Sequence, residues 1–341
     1  MSQTEITELV PALDESGRPQ NFGWAKAPVF TYDENLLMTP RRRISESDRY
    51  VLVSSSHIFT FEILDDGYLG YMCLSAASLK DKKRSTHTFL TPFSLGSFDL
   101  PGDSESGSIK LWHKKNYLNF ASMNMGIRII KVDIPKFSRN RSLRGEVVLT
   151  PPPDAESLFT LMPWRGKRNA FCYTQRSPWY SVEGVIQLGT SEFVFSRGKG
   201  WGILDWNRGV RPGKDLRFWA VACGQSAGRL ASFSVGHNSA DSSQGTENAF
   251  FLDGKLHKLD QVTFHIPSER HTPWRFTSND NRLEMTFSPQ QERDENHQML
   301  FYSLKRRQLF GVFSGRVTLD DGSEFEFSNL TGFAERRKSR F

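Results

Sequence analysis

A short segment of the chain, GWGILDWNRGVRPG at residues 200–213, carries more chemically active side chains than a turn requires. It places Asp205 beside Trp206 and three residues before Arg208. A buried guanidinium needs acceptors for its five donors, and a carboxylate supplies them, while an indole face attracts a cation. The segment is either a structural corner of the fold or one wall of a binding site, where Arg208 meets the polar end of a ligand.

A second polar segment, GHNSADSSQGTENAFF at residues 236–251, lies between two apolar runs. His237 and Asp241 have the residue types of a general base and the group that orients it. Glu247 opens the next apolar run, and both it and Asp205 are candidate general acids if burial raises their pKa. The alternative is an ordered loop whose Asn, Asp and Ser side chains bond to their own backbone.

The remaining candidates are ligand contacts rather than reacting groups. Trp206 and Trp219 would form part of the apolar wall of a binding site, and Asn248 would make a polar contact with the ligand. The acidic and imidazole groups of the polar segment have the right ligand types for a metal but no diagnostic spacing, so we predict no metal site. The sequence contains no dinucleotide fingerprint, phosphate-binding loop, nucleophile elbow or zinc-protease motif, and we therefore predict no cofactor.

Short alternating runs separated by turn residues dominate most of the chain. Residues 57–63, HIFTFEI, alternate as a half-buried strand does. Asp253-Gly254 stands between two apolar runs, a strong hairpin signal, and residues 279–281 and 320–322 supply similar turns. Only TGFAERRK, residues 331–338, fits a short helix. The pattern predicts an all-β protein of two lipocalin-like antiparallel barrel or sandwich halves with few helices.

The pattern also suggests a division of the chain into three parts. Residues 1–47 are punctuated by proline and glycine yet rich in aromatic residues, and we expect them to pack on the body of the protein. Residues 48–178 form an N-terminal β-domain, and residues 179–341 form a C-terminal β-domain with the most distinctive motifs. The boundary is placed where Pro178 interrupts the strand pattern.

Composition and charge limit the classes of function. The chain has 341 residues, of which 13% are aromatic, including 27 Phe, as suits β-surfaces and apolar cavities. The net charge of +6 is mild, and the basic runs are read as solvated loops and tail, so no nucleic-acid partner is expected. Steep salt dependence of binding would reverse that interpretation.

The termini and cysteines favour a cytoplasmic protein. The three cysteines are far apart and predict neither a disulfide framework nor a zinc site. The first residues have no basic and apolar pattern of a signal peptide. No apolar run reaches the length of a transmembrane segment. Protein partners and oligomeric state stay open.

Several long motifs resemble the uncharacterised bacterial family named domain of unknown function 2804. They are the GxLDWxRG corner at 202–209, TENAFFLDGKLHKLDxVTF at 246–264, PWRFTSNDNRLEMTFSP at 273–289 and the end of the chain from residue 311. The likeness is close in the second half and looser in the first. The family name assigns no activity.

The resemblance implies, by analogy of fold, a calycin-like protein with two lipocalin-like barrels, a group that includes carotenoid hydratases and tocopherol cyclases. Those enzymes act on apolar isoprenoid chains, but no local motif transfers their catalytic residues to this chain. We therefore predict binding of an apolar small molecule or lipid in an aromatic-lined barrel cavity. The alternative is a cofactor-free hydratase, cyclase or isomerase acting on an isoprenoid-like or lipid substrate, for which Asp205, His237 and Glu247 must converge on one concavity.

Overall fold

The computed structural model describes residues 3–81, 83–139, 141–269, 272–299 and 302–340. Almost all of the regular structure in these ranges is β-strand, which confirms the predicted all-β class. The helical elements of the described residues are three short 3₁₀ turns at Glu34–Leu36, Arg41–Arg43 and Asn124–Gly126.

The first half forms a 13-stranded, nearly closed barrel. One edge strand of this sheet approaches the strands at its other end where the His87 ring nitrogen Nδ1 lies 2.9 Å from the carbonyl oxygen of Phe137. Its strands are β2 (Gly23–Ala25), β4 (Ile44–Val53), β5 (His57–Asp65), β6 (Leu69–Ser78), β7 (Arg84–Pro92), β8 (Ser108–His113), β9 (Asn116–Ser122), β10 (Arg128–Ser138), β11 (Arg141–Thr150), β12 (Leu158–Trp164), β13 (Lys167–Leu188), β14 (Ser191–Phe195) and β15 (Trp201–Val210). Two short strands, β1 (Val10–Pro11) and β3 (Phe30–Thr31), pair separately and in parallel.

The second half is a nine-stranded half-barrel whose neighbouring strands pair antiparallel throughout the described residues. Together the two sheets confirm the expectation of two barrel-like halves. The strands are β16 (Lys214–Ser226), β17 (Arg229–His237), β18 (Ala249–Leu252), β19 (Lys255–Lys258), β20 (Val262–His265), β21 (Trp274–Ser278), β22 (Leu283–Met299), β23 (Tyr302–Thr318) and β24 (Glu324–Arg340).

The predicted hairpin turns are confirmed, and the predicted helix is wrong. Asp253 and Gly254 both have positive φ and join β18 to β19. Residues 331–338 instead lie in the C-terminal half of β24, where they pair with β16 on one side and with β23 on the other. Pairing on both edges outweighs the weak helical preference of this segment, because tertiary context overrides local propensity.

The change from one sheet to the other falls between Val210 and Lys214. Pro178 lies inside β13, at a shift in the register of its pairing with β15 between Ser177 and Tyr180. A bulge tolerates proline because the position has no ladder hydrogen bond to donate. The division into domains at residue 178 stays a prediction.

Aromatic rings fill the interior of the second half. Phe313 stacks on Phe287 at 4.3 Å between ring centroids and makes an edge contact with Phe233 at 4.9 Å. These rings belong to one buried cluster with Phe250 and Phe276. Much of the aromatic excess in the sequence is therefore packed core.

Candidate functional site

Alternation along β15 separates the residues of the GxLDWxRG corner. Leu204 and Trp206 join the core of the first barrel, whereas Trp201 and Ile203 pack with Trp219 between the two sheets. Asp205 has the same parity as the second set and faces the second sheet. One short motif thus serves both the barrel interior and the junction between the sheets.

Asp205 is held between two arginines. Its Oδ2 accepts from Arg49 at 2.6 Å to Nη2 and 3.0 Å to Nε, and its Oδ1 lies 2.6 Å from Nη1 of Arg176. Burial alone would raise the pKa of Asp205, but Arg176 and Arg49 outweigh it and hold the pKa well below its usual range. The expected rise in the pKa of Asp205 is therefore not found, which argues against a role as general acid. Its carboxylate is a structural counter-ion.

The ion pairs of Asp205 continue into the second sheet as a buried network. Arg49 donates to Glu335 at 2.9 Å, and Arg306 donates to both oxygens of Glu62 at 2.6 and 2.8 Å. The face of Trp219, which is fully buried, packs beneath Arg49 with 4.6 Å between the guanidinium carbon and the ring centroid. We call these residues, with Arg176 and Asp205, the sheet-junction network.

Arg208 and Trp206 point into the first barrel and contact each other. The guanidinium of Arg208 pairs with Asp48 at 2.8 Å and lies 4.5 Å above the ring of Trp206. It also donates to the carbonyl oxygen of Pro101 at 2.9 Å. Trp206 in turn makes an edge contact with Tyr173 at 4.9 Å. The segment is therefore part of the continuous strand β15 and not a corner, and Asp205 and Arg208 lie on opposite faces of it.

A cleft of about 400 Å³ opens where the end of β17 meets β20 and β12. Its polar wall includes His237, Glu247 and Asn248, and its apolar wall includes Met162 and Phe264. A smaller cavity of about 80 Å³, with Arg208 and Arg217 on its walls, lies between the sheets. Both cavities have Asn238 and Glu247 among their lining residues, so the two spaces adjoin at Glu247.

Glu247 presents one carboxylate oxygen without a partner. The side chain is 3% exposed, and its Oε1 accepts from Arg176 at 2.7 Å and from Arg217 at 3.4 Å. Among the described residues, Oε2 is buried and has no hydrogen-bond partner. A buried acceptor of this kind is costly unless something donates to it, which makes Glu247 the strongest candidate ligand contact of the cleft.

His237 lies exposed at the rim of the cleft. Its ring stacks on Phe218 at 4.9 Å between centroids and makes an edge contact with Phe264 at 5.5 Å. The part of the ring that packs against these neighbours is desolvated, which lowers the pKa of His237 from its usual value. His237 can therefore accept or donate a hydrogen bond in the cleft.

The side chains of Asn248 and Asp241 form hydrogen bonds with backbone groups. The Asn248 amide accepts from the N–H of Gly236 at 2.6 Å and donates to the carbonyl oxygen of Asp260 at 2.7 Å. Asp241 accepts from the N–H of Ser243 at 3.1 Å, as the ordered-loop alternative requires. No hydrogen bond joins Asp241 to His237 within the part of the chain that the structure describes.

The structure brings together some of the candidates and separates others. His237, Glu247 and Asn248 share the cleft, and Arg208 lines the adjoining cavity. Four candidates are absent from the walls of both spaces: Asp205, Trp206, Trp219 and Asp241. Sequence reasoning missed Arg49 and Arg176, although an arginine inside an otherwise apolar strand is a signal of a buried ion pair.

Neither a metal centre nor a membrane-spanning helix is found in the described ranges. No group of three or more His, Cys, Asp or Glu side chains within those ranges is arranged to hold a metal ion. None of the helical segments described has the length and apolar character to cross a membrane.

Comparisons with known proteins agree on the fold. The profile of the family described as "Domain of unknown function (DUF2804)" matches residues 3–341. No curated protein matches the chain. Among solved structures, that of CghA is 10% identical with a TM-score of 0.54, covering 88% of this chain and 89% of its own.

Two further structures are similar. A putative AttH from Nitrosomonas europaea is 12% identical with a TM-score of 0.52, covering 91% of this chain and 98% of its own. Kievitone hydratase from Nectria haematococca is 9% identical with a TM-score of 0.48, covering 86% and 88%. At these low identities, the similarity to CghA and to the putative AttH shows a shared fold and nothing further.

Proposed function

Because the chain belongs to the family described as domain of unknown function 2804, whose name assigns no activity, we propose a function from the cleft alone. The protein binds a small molecule with an apolar body and a hydroxyl group in the cleft. The observation that carries the proposal is the unpartnered Oε2 of Glu247, which among the described residues is a buried acceptor beside a space of about 400 Å³.

The ligand chemistry follows from the two walls of the cleft. Met162, Val262 and Phe264 offer apolar surface to a hydrocarbon body. Oε2 of Glu247 accepts a hydrogen bond, so it favours a hydroxyl and repels a carboxylate at the same position. His237 at the rim adds a second polar contact. An isoprenoid or lipid alcohol has this combination of groups.

The test compares geraniol with geranic acid, which differ in one terminal group. Calorimetric titration at pH 7 should show saturable binding of geraniol and at least about tenfold weaker binding of geranic acid, because a carboxylate meets Glu247 with like charge. The variant Glu247→Gln should reduce the difference in affinity between geraniol and geranic acid. Phe264→Ala should weaken both ligands together. Equal affinity for the alcohol and the acid in the native protein would sink the proposal.

A second candidate function is proton-transfer catalysis, such as hydration of a double bond. The observation that favours it is that His237 and Glu247 line the same cleft. Hydration adds a proton to one carbon and hydroxide from water to the other, and these two groups would move the proton. Incubation with geraniol in oxygen-18 water should then give a heavier diol that His237→Gln abolishes. If the recovered ligand contains no oxygen-18, the catalytic function is rejected and binding is the function that stays proposed.

A further inference from the structure

A second cavity, separate from the cleft, opens at one end of the first barrel. It measures about 250 Å³, and its walls include Phe159, Trp179 and Tyr180 beside the polar Gln175 and Glu105. The Trp179 and Tyr180 rings touch, with 4.6 Å between their centroids. This cavity, which we call the barrel mouth, has no lining residue in common with the cleft.

Arg128 is not itself part of the wall of the barrel mouth but interacts with two residues of it, Glu105 and Tyr180. It is the first residue of β10 and pairs across the sheet with Ser122 of β9 and Leu149 of β11. The Arg128 side chain is 1% exposed, and its Nη2 contacts Oε1 of Glu105 at 3.2 Å. Desolvation alone would lower the pKa of Arg128, but neighbours that include the wall residue Tyr180 outweigh it and raise that pKa.

The guanidinium of Arg128 is only partly satisfied. Its Nε is buried and has no hydrogen-bond partner among the described residues, while the Tyr180 hydroxyl group interacts with the guanidinium. Its ion-pair partner, Glu105, is 44% exposed on the loop after β7. An exposed carboxylate contributes little to a pair, while a buried cation with free donors is expensive. The guanidinium of Arg128 can therefore donate a further hydrogen bond to an anionic acceptor.

We propose that the barrel mouth binds a small aromatic carboxylate, whose carboxyl group pairs with Arg128 in place of Glu105. A guanidinium presents parallel N–H donors that match a carboxylate in two hydrogen bonds. The flat body of the ligand packs against Trp179 and Phe159 at the wall. Glu105 occupies the position when the ligand is absent and acts as a competitor for it.

The two spaces then select ligands of opposite kind. The cleft offers an acceptor to an alcohol, and the barrel mouth offers donors to an acid. The proposal for the barrel mouth does not depend on the proposed function of the cleft, since no residue is shared. Each can fail without the other.

The test uses cinnamate as the probe and cinnamyl alcohol as its neutral match, measured by calorimetric titration at pH 7. The native protein should bind cinnamate, and Arg128→Gln should weaken it about ten- to a hundredfold, as loss of charged hydrogen bonds does. The matched control is Arg144→Gln, an exposed arginine on the next strand, which should leave affinity unchanged. Glu247→Gln should also have no effect on cinnamate.

A second variant, Glu105→Gln, changes an exposed side chain and tests the proposal even if Arg128→Gln does not fold. Glu105→Gln removes the competing carboxylate from an exposed loop and should tighten cinnamate binding several-fold. If cinnamyl alcohol binds, its affinity should be the same for Arg128→Gln as for the native protein. Failure of cinnamate to bind, equal affinity in Arg128→Gln, or no gain in Glu105→Gln would each overturn the proposal.

Discussion

At the scale of single residues, the same residue type has different roles according to its partners. Asp205 and Glu247 are both buried carboxylates beside Arg176. Arginines contact both oxygens of Asp205, whereas one oxygen of Glu247 has no hydrogen-bond partner among the described residues. We therefore expect Asp205 to contribute to stability, and we propose Glu247 as a ligand contact.

Loss of the Asp205 charge should destabilise the protein. Asp205→Asn leaves Arg49 and Arg176 buried without their counter-ion, and breaking a buried pair costs about 3–5 kcal/mol. The control is Asp133→Asn, whose carboxylate is half exposed beside Arg144, with an expected cost below about 1 kcal/mol. Urea denaturation measures both. Equal stability of the two variants would remove Asp205 from the sheet-junction network.

The contribution of Asp205 should also depend on pH in one direction. Its pKa is lower in the folded protein than in the unfolded chain, so its stabilisation is complete above about pH 4 and is lost as the pH falls through the folded-state pKa. The stability gap between native protein and Asp205→Asn should stay constant from about pH 8 to pH 5 and shrink at lower pH. A gap that widens in acid would contradict this assignment.

At the scale of elements, the sequence predicted what is local and missed what is distant. Alternation in residues 57–63 and the turn at Asp253-Gly254 identify β5 and the β18–β19 hairpin, because side-chain period and turn chemistry are local properties. The extent of β24 is set by pairing with β16, more than a hundred residues away, and the helix expected at 331–338 failed for that reason. The partners of Asp205 also come from distant strands.

Close strand packing at Gly332 gives a prediction about β24. A Cβ there would stand 2.0 Å from the carbonyl oxygen of Val221 and 2.6 Å from the Cα of Ala222. Gly332→Ala should therefore destabilise the protein by about 1–3 kcal/mol, because the strands must move apart. The control Gly224→Ala, on the facing strand β16, meets its nearest atom at 3.4 Å and should be close to neutral. A similar melting temperature for both would contradict this close approach of the two strands.

At the scale of the whole molecule, buried ion pairs join the two sheets. Arg49 of β4 pairs with Glu335 of β24, and Arg306 of β23 pairs with Glu62 of β5. Removing one half would leave these charges without partners in a newly exposed face. The sequence predicted two halves but did not show which charges pair across them, because the partners lie in strands far apart along the chain.

The connection predicts that both halves unfold together. Thermal unfolding followed by near-ultraviolet and far-ultraviolet circular dichroism should give one transition with the same midpoint. Two separated transitions would show that the sheets are independent folding units, with a boundary between Val210 and Lys214.

The most direct test of the central claim is a crystal structure of the protein soaked with geraniol. We predict that the ligand occupies the cleft, with its hydroxyl oxygen about 2.5–3.0 Å from Oε2 of Glu247 and its chain against Phe264. Geraniol in the barrel mouth, or in the cleft with its hydroxyl group turned away from Glu247, would contradict the assignment of Glu247 as the ligand contact.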